Sequence, residues 1–306
     1  MKKGWKIFWI VCASVAGIGV VLAVVGIVMG ATFGSIQTAL WNYGHHAEQR
    51  VETIEEQIDP VEDDFDEDEF VDGEDLDDRI SNAEEISNGS TVRLDGIRQL
   101  DVELSYLRIV LVESTGTELE FEISNIPEEV AGELVMKQEA GELDVGIRNE
   151  RNWKAIMKNR GEVGTLTMQI PKNQFTQMSF SIAGGGALDA EQLQTSELDI
   201  EVGAGLIKLQ NVQVDALDLE VGAGEASVTG TINREASIDC GIGTVDLQLT
   251  GTQQDYSYSM ECGAGVIQVG DDIYSGISNG KTIMNGGAMI EMECGSGEVT
   301  VGFSGL

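Results

Sequence analysis

The chain has 306 residues and sets 53 Asp and Glu against 18 Lys and Arg, a formal charge of −35 at pH 7. Such a balance repels nucleic acid and gives no bare attraction to an anionic lipid surface. Hydrophobic residues reach 42% but aromatic ones only 6%, with 38 glycines to 3 prolines, which suits a thin, regular β structure rather than a bulky mixed core.

Residues 7–31, IFWIVCASVAGIGVVLAVVGIVMGA, carry no charge and are long enough to cross a bilayer as a helix. Lys2, Lys3 and Lys6 precede them and predict a cytoplasmic N-terminus (1–6), a transmembrane helix over 7–34 and an extracytoplasmic remainder. A cleaved signal peptide is the rival reading, but its apolar core is normally shorter. Gly26, Gly30 and Gly34 fall at GxxxG spacing, a route to a homo-oligomer through the helix, although glycine is common in membrane helices anyway. His45 and His46 lack further ligands nearby and read as a solvated linker position.

Residues 48–85 hold nineteen acidic side chains against Arg50 and Arg79. A run such as VEDDFDEDEFVDGEDLDD repels itself and has little to bury, so 35–89 is expected to be an extended acidic linker. It lacks the register of a calcium-binding EF-hand loop.

From residue 90 the pattern turns to strands: LDVELSYLRIVLVES, TELEFEIS, GELVMKQEAGELDVGI and GTLTMQIPKNQF. Between the last two, RNERNWKAIMKNRG gathers Arg148, Arg151, Lys154, Lys158 and Arg160. This basic patch either pairs with the protein's own carboxylates or contacts an anionic envelope polymer.

Glycine pairs then recur at Gly184/Gly186, Gly203/Gly205, Gly222/Gly224, Gly241/Gly243, Gly263/Gly265 and Gly295/Gly297, with intervals of 19, 19, 19, 22 and 32. A fixed period near 20 marks a solenoid. Around each pair, apolar residues alternate with polar ones, as in LDIEVGAGLIKL (198–209) and LDLEVGAGEASV (217–228), giving half-buried strands on either side of a corner. The corner glycines Gly203, Gly205, Gly222, Gly224, Gly241, Gly243, Gly263, Gly265, Gly295 and Gly297 are expected to supply positive φ and close stacking. No third glycine completes GxGxxG, so a dinucleotide loop is excluded and no cofactor is implied. The expected fold is all-β, a single-stranded parallel β-solenoid with a period of about 19–22 over residues 90–306.

This register places Cys240, Cys262 and Cys294 in the inward slot held elsewhere by Val202 and Val221, as small apolar core residues. Cys240 and Cys262 are then expected on neighbouring coils, within disulfide reach but reduced. Glu201, Glu220, Asp239, Glu261 and Glu293 fall in one outward column, either a solvated face or a site for Ca²⁺ or a cationic partner.

The lysine-led membrane segment, the phrase TLTMQIPKNQFTQMSFSIAGGGALDAEQL (165–193) and the iterated LDIEVGAGLIKL together resemble the bacterial putative-adhesin family of unknown function. The resemblance covers residues 90–306 and the anchor. It implies a β-solenoid displayed on the cell envelope for adhesion, binding or sensing, and carries no catalytic residues to transfer. The alternatives left open are a polysaccharide-acting β-helix enzyme and an oligomeric envelope-stress signalling component.

Overall fold

The computed structural model describes residues 84–86, 88–158, 164–276 and 280–305. The expected membrane helix over 7–34 and nearly all of the acidic linker lie outside the described residues, and among these no helix is long and apolar enough to cross a membrane. Folded structure begins before residue 90. Glu84–Glu85 pairs with Leu134–Glu139, and Ile86 is buried, so the last residues assigned to the linker belong to the β unit.

Among the described residues, twenty-one strands join one continuous sheet that coils on itself. In a typical coil, Leu198, Ile200 and Val202 point inward before the Gly-Ala-Gly corner, and Ile207 and Leu209 point inward after it. The strand Leu206–Val221 then breaks phase twice, with register shifts between Leu209 and Val212 and between Val214 and Ala216. Val212 and Val214 are buried between the breaks, so each regular coil has a third inward-facing side. The alternation on the two glycine-flanking sides was readable directly; the third side was not, because it is only the three residues Val212–Val214 and its phase is shifted.

Parallel pairing fixes the order of the rungs. Glu142–Ile147 with Gly164–Pro171 stacks on Gln99–Ser105 with Leu107–Ser114. Next comes Gln177–Ala183 with Ala187–Ala190, followed by the coils around residues 203, 222 and 241 in sequence order. The order then breaks. Ala288–Cys294 and Glu298–Ser304, last in the chain, lie directly on the coil around 241. Tyr256–Cys262 and Val266–Val269 stack outside them. The first coil, 99–114, is likewise enclosed by a later one, 142–171. The wide 22- and 32-residue intervals therefore mark a rearranged end of the stack.

Antiparallel strands close both ends. Leu134–Glu139 and Leu119–Ser124 cover one, while Asp272–Ser275 and Lys281–Ile283 cover the other. Large rings gather near these ends: Phe121, Trp153, Phe175 and Phe180 at one, and Tyr256, Tyr258 and Phe303 at the other. Residues 181–255 contain no aromatic residue at all. Middle rungs bury their aliphatic faces on neighbours on both sides, whereas an end has a neighbour on one side only and needs bulk to fill it.

The corners work differently from the expectation. Of the aligned glycines, only Gly184 has positive φ (73°). At most of the others glycine is required by close approach: a Cβ on Gly222 would lie 2.8 Å from the Gly203 carbonyl oxygen, and one on Gly241 2.7 Å from that of Gly222. The backbone ladder runs through these corners, with Gly222 N donating to Val202 O and Ala223 N to Gly203 O at 2.8 and 2.9 Å. The second glycine roofs the inward slot beneath. A Cβ on Gly224 would meet Val202 Cγ1 at 3.1 Å, and one on Gly297 would meet Cys240 Sγ at 2.7 Å.

The rearranged rung order also corrects the cysteine pairing. Cys240 is in register with Cys294, and Cys294 with Cys262. Two rung steps, about 10 Å, separate Cys240 from Cys262, beyond the Cα separation a disulfide tolerates. All three thiols are buried and free.

Candidate binding face

The side of the stack before the glycine corners carries two in-register columns of outward side chains. Strand alternation sets them: with Ile200, Val202 and their equivalents inward, the intervening residues must face solvent. In spatial order the first column runs Glu103, Ser181, Glu201, Glu220, Asp239, Glu293, Glu261. The five acids expected from the sequence all belong to it, with Glu293 and Glu261 exchanged by the rung insertion. The second column, two residues earlier on each strand, runs Asp144, Asp101, Ser179, Asp199, Asp218, Ser237, Glu291, Ser259. This second column was missed, although the same alternation that gave the first also contains it.

The register places no Lys or Arg in either column. At a rung spacing of about 4.8 Å, two neighbouring carboxylates repel by about 1 kcal/mol even in water. Partial burial sharpens this. Burial, with Glu293, Glu220 and Asp218 alongside, pushes the Asp239 carboxyl up to about 6. Glu220 is raised by burial and by Glu201 and Asp218, and Glu293 by burial and by Glu261 and Glu291. Asp218 rises through burial beside Asp199. The carboxylates stand in line instead of converging, and among the described residues no three His, Cys, Asp or Glu side chains form a group that could hold a metal ion.

Of the basic patch, Arg151 and Lys154 lie on the helix Glu150–Met157, Arg148 just before it and Lys158 at its C-cap; Asn149 caps the helix by accepting from Asn152 N. Its buried face is Trp153 and Met157; Trp153 Nε1 donates to Ser105 O at 2.7 Å. Arg148 pairs with Glu85 at 3.0 Å and Lys154 with Glu150 at 3.1 Å. Arg151 and Lys158 are exposed, and Arg160 lies outside the described residues.

Beyond the corners, an open groove of about 500 Å³ is lined by Arg108, Val110, Val112, Asp189, Lys208 and Gln210 among others. Arg108 Nε is committed to Asp189 at 2.9 Å, leaving a mixed-charge surface with no dominant sign.

A family model described as Toastrack DUF4097 matches residues 97–304. No curated protein matches the chain. Among solved structures, a putative cell adhesion protein from Clostridium sporogenes is similar at 12% identity and a TM-score of 0.41, covering 71% of this chain and 100% of that one. A putative adhesin from Bacteroides fragilis is similar at 10% identity and a TM-score of 0.31, covering 70% of this chain and 97% of its own. A putative adhesin from Parabacteroides merdae matches at 12% identity and a TM-score of 0.31, with 71% and 96% covered.

Proposed function

The chain belongs to the Toastrack DUF4097 family, and from that premise we propose that it is a non-catalytic binding scaffold, anchored in the cell membrane by residues 7–34 with the β unit extracytoplasmic. The uninterrupted apolar run and the lysines before it support the anchor. The binding face is the doubly acidic side of the stack, and its partner is a cationic component of the cell envelope.

One observation carries this reading: carboxylates repeat in register along two columns that contain no Lys or Arg. Rung stacking holds them in place, so a cationic partner meets a preorganised row instead of a mobile tail. The same field repels anionic polymers.

Titrating the full-length protein in detergent with oligolysine as probe tests the reading. Saturable binding that weakens with salt is expected. It should fall at least tenfold when Glu201, Glu220, Glu261 and Glu293 become Gln and Asp239 becomes Asn. Equal binding by that variant would sink the assignment of the face.

A further inference from the structure

The last rung fills a slot that its own sequence neighbours form. Ala288–Cys294 lies between Glu225–Cys240 and Tyr256–Cys262, and Glu298–Ser304 between Thr244–Thr250 and Val266–Val269. The two walls are consecutive in the chain, joined through the short turn at Gln253–Asp255. Tyrosines brace that turn: Tyr256 Oη donates to Thr250 O at 2.7 Å and Tyr258 Oη to Gln253 O at 2.8 Å.

The slot is selective. It takes a strand with inward Ile290, Met292 and Cys294, a corner with glycine at 295 and 297, and a second strand with inward Val299 and Val301. A Cβ at 295 would lie 2.9 Å from Gly241 O, and one at 297 would strike Cys240 Sγ. A segment lacking this pattern is excluded by sterics and by burial of polar groups. Every copy of the chain carries a segment that fits.

The insert is tethered to its slot through residues 270–287. Gly270, Gly276, Gly280, Gly286 and Gly287 there all have positive φ. Fully extended, this tether spans about 60 Å, more than the height of eight rungs, about 40 Å. Its short pairings with the outer rung are Asp272–Ser275 on Val266–Val269 and Lys281–Ile283 on Tyr256–Cys262. The ladder made by an inserted rung is the same whichever chain supplies it. Only the tether distinguishes the two cases.

We propose that the rung 288–304 is exchangeable between copies, so that two chains form a dimer in which each fills the other's slot. Exchange of an identical element between protomers is a low-cost route to a symmetric dimer. The proposal is independent of the acidic face.

Native cysteine positions supply the test. Two full-length chains are made, both with Cys12→Ser and Cys262→Ala, one adding Cys294→Ala and the other Cys240→Ala. They are unfolded together, refolded at high concentration and oxidised with diamide, a small neutral reagent that takes up the two hydrogens of the joined thiols. A disulfide-linked dimer joining Cys240 of one chain to Cys294 of the other is expected, and neither chain alone should give it. No such dimer, while a single chain keeping both cysteines closes internally, overturns the proposal. So does an internal bond in a chain keeping only Cys240 and Cys262, since the slot would then close on itself. Should the internal control fail to close, mass decides: deleting 276–280 shortens the tether, and light scattering should show a dimer. A monomer there overturns the proposal as well.

Discussion

Cys240 and Cys294 face each other across adjacent rungs, although the whole stretch 241–293 separates them in the chain. Contact with Cys240, together with burial, pushes the Cys294 thiol far above the usual range, and burial also raises Cys262. The same contact lowers the Cys240 thiol, making it the more reactive member of the pair, while burial of all three keeps a bulky, charged reagent out. Ellman's reagent should therefore label none of the three until the protein unfolds. Rapid native labelling would show that the slot breathes, or that the rungs are ordered differently.

Glycine at the corners is tested by a matched pair of substitutions. Gly203 lacks a positive φ, and an added Cβ there would make only ordinary contacts, none nearer than 3.8 Å. Gly203→Ala should leave stability unchanged or raise it by up to about 1 kcal/mol, through the unfolded chain. Gly224→Ala drives a methyl to 2.5 Å from Gly205 O and should cost about 1–3 kcal/mol by overpacking. Thermal melts compare the two directly. Equal losses would mean that backbone conformation, and not rung contact, is what these positions require.

Much of this architecture was legible in the sequence because a repeat states the same constraint many times. Leu198, Ile200 and Val202 recur as Leu217, Leu219 and Val221, and the inward slot, the outward Glu column and the close corner follow from that alignment. Rung order was not legible. ECGAG at 261–265 and ECGSG at 293–297 have the same inward and outward pattern, so either satisfies the coil around 241 equally well at the level of pattern. What separates them is bulk: Tyr258 and Tyr256 belong at a stack end, and Ile290 and Ala288 in its interior. The helix Glu150–Met157 was visible as a basic stretch, but its role as carrier of the buried Trp153 was not.

Trp153 ties that helix to the stack and makes a separable prediction. Its ring is wholly buried and its indole N–H serves Ser105 O. Trp153→Phe keeps most of the bulk but strands a buried acceptor, a loss of about 1–3 kcal/mol. Trp153→Ala adds a cavity and should cost about 3–5 kcal/mol. The neighbouring Ser105 hydroxyl is buried with no hydrogen-bond partner. Ser105→Ala should then be neutral or slightly stabilising in denaturant melts. A loss above about 1 kcal/mol would mean that the hydroxyl has a partner in solution.

The acidic columns make stability depend on pH in the direction opposite to ordinary acid denaturation. Asp239 has a folded pKa of about 6, above the value near 3.9 expected of an unfolded chain. Between those values the folded state binds the proton more tightly, so stability falls as pH rises from about 4 through 6 and levels off above. Asp218, Glu220 and Glu293 are shifted the same way. The melting temperature should therefore rise when pH is lowered from 7.5 to about 5, and Asp239→Asn should reproduce part of that gain at pH 7.5. Because the group is only partly buried, solvent screening reduces the gain to about 1 kcal/mol or less. Near pH 4 the substitution should make no difference, since Asp239 is then protonated in the folded state. High salt should shrink the gain at pH 7.5, as screening weakens the repulsion that Asn removes. A variant that melts lower than the parent at pH 7.5 would show that Asp239 has a stabilising partner, and the reading of repulsion at that position would be wrong.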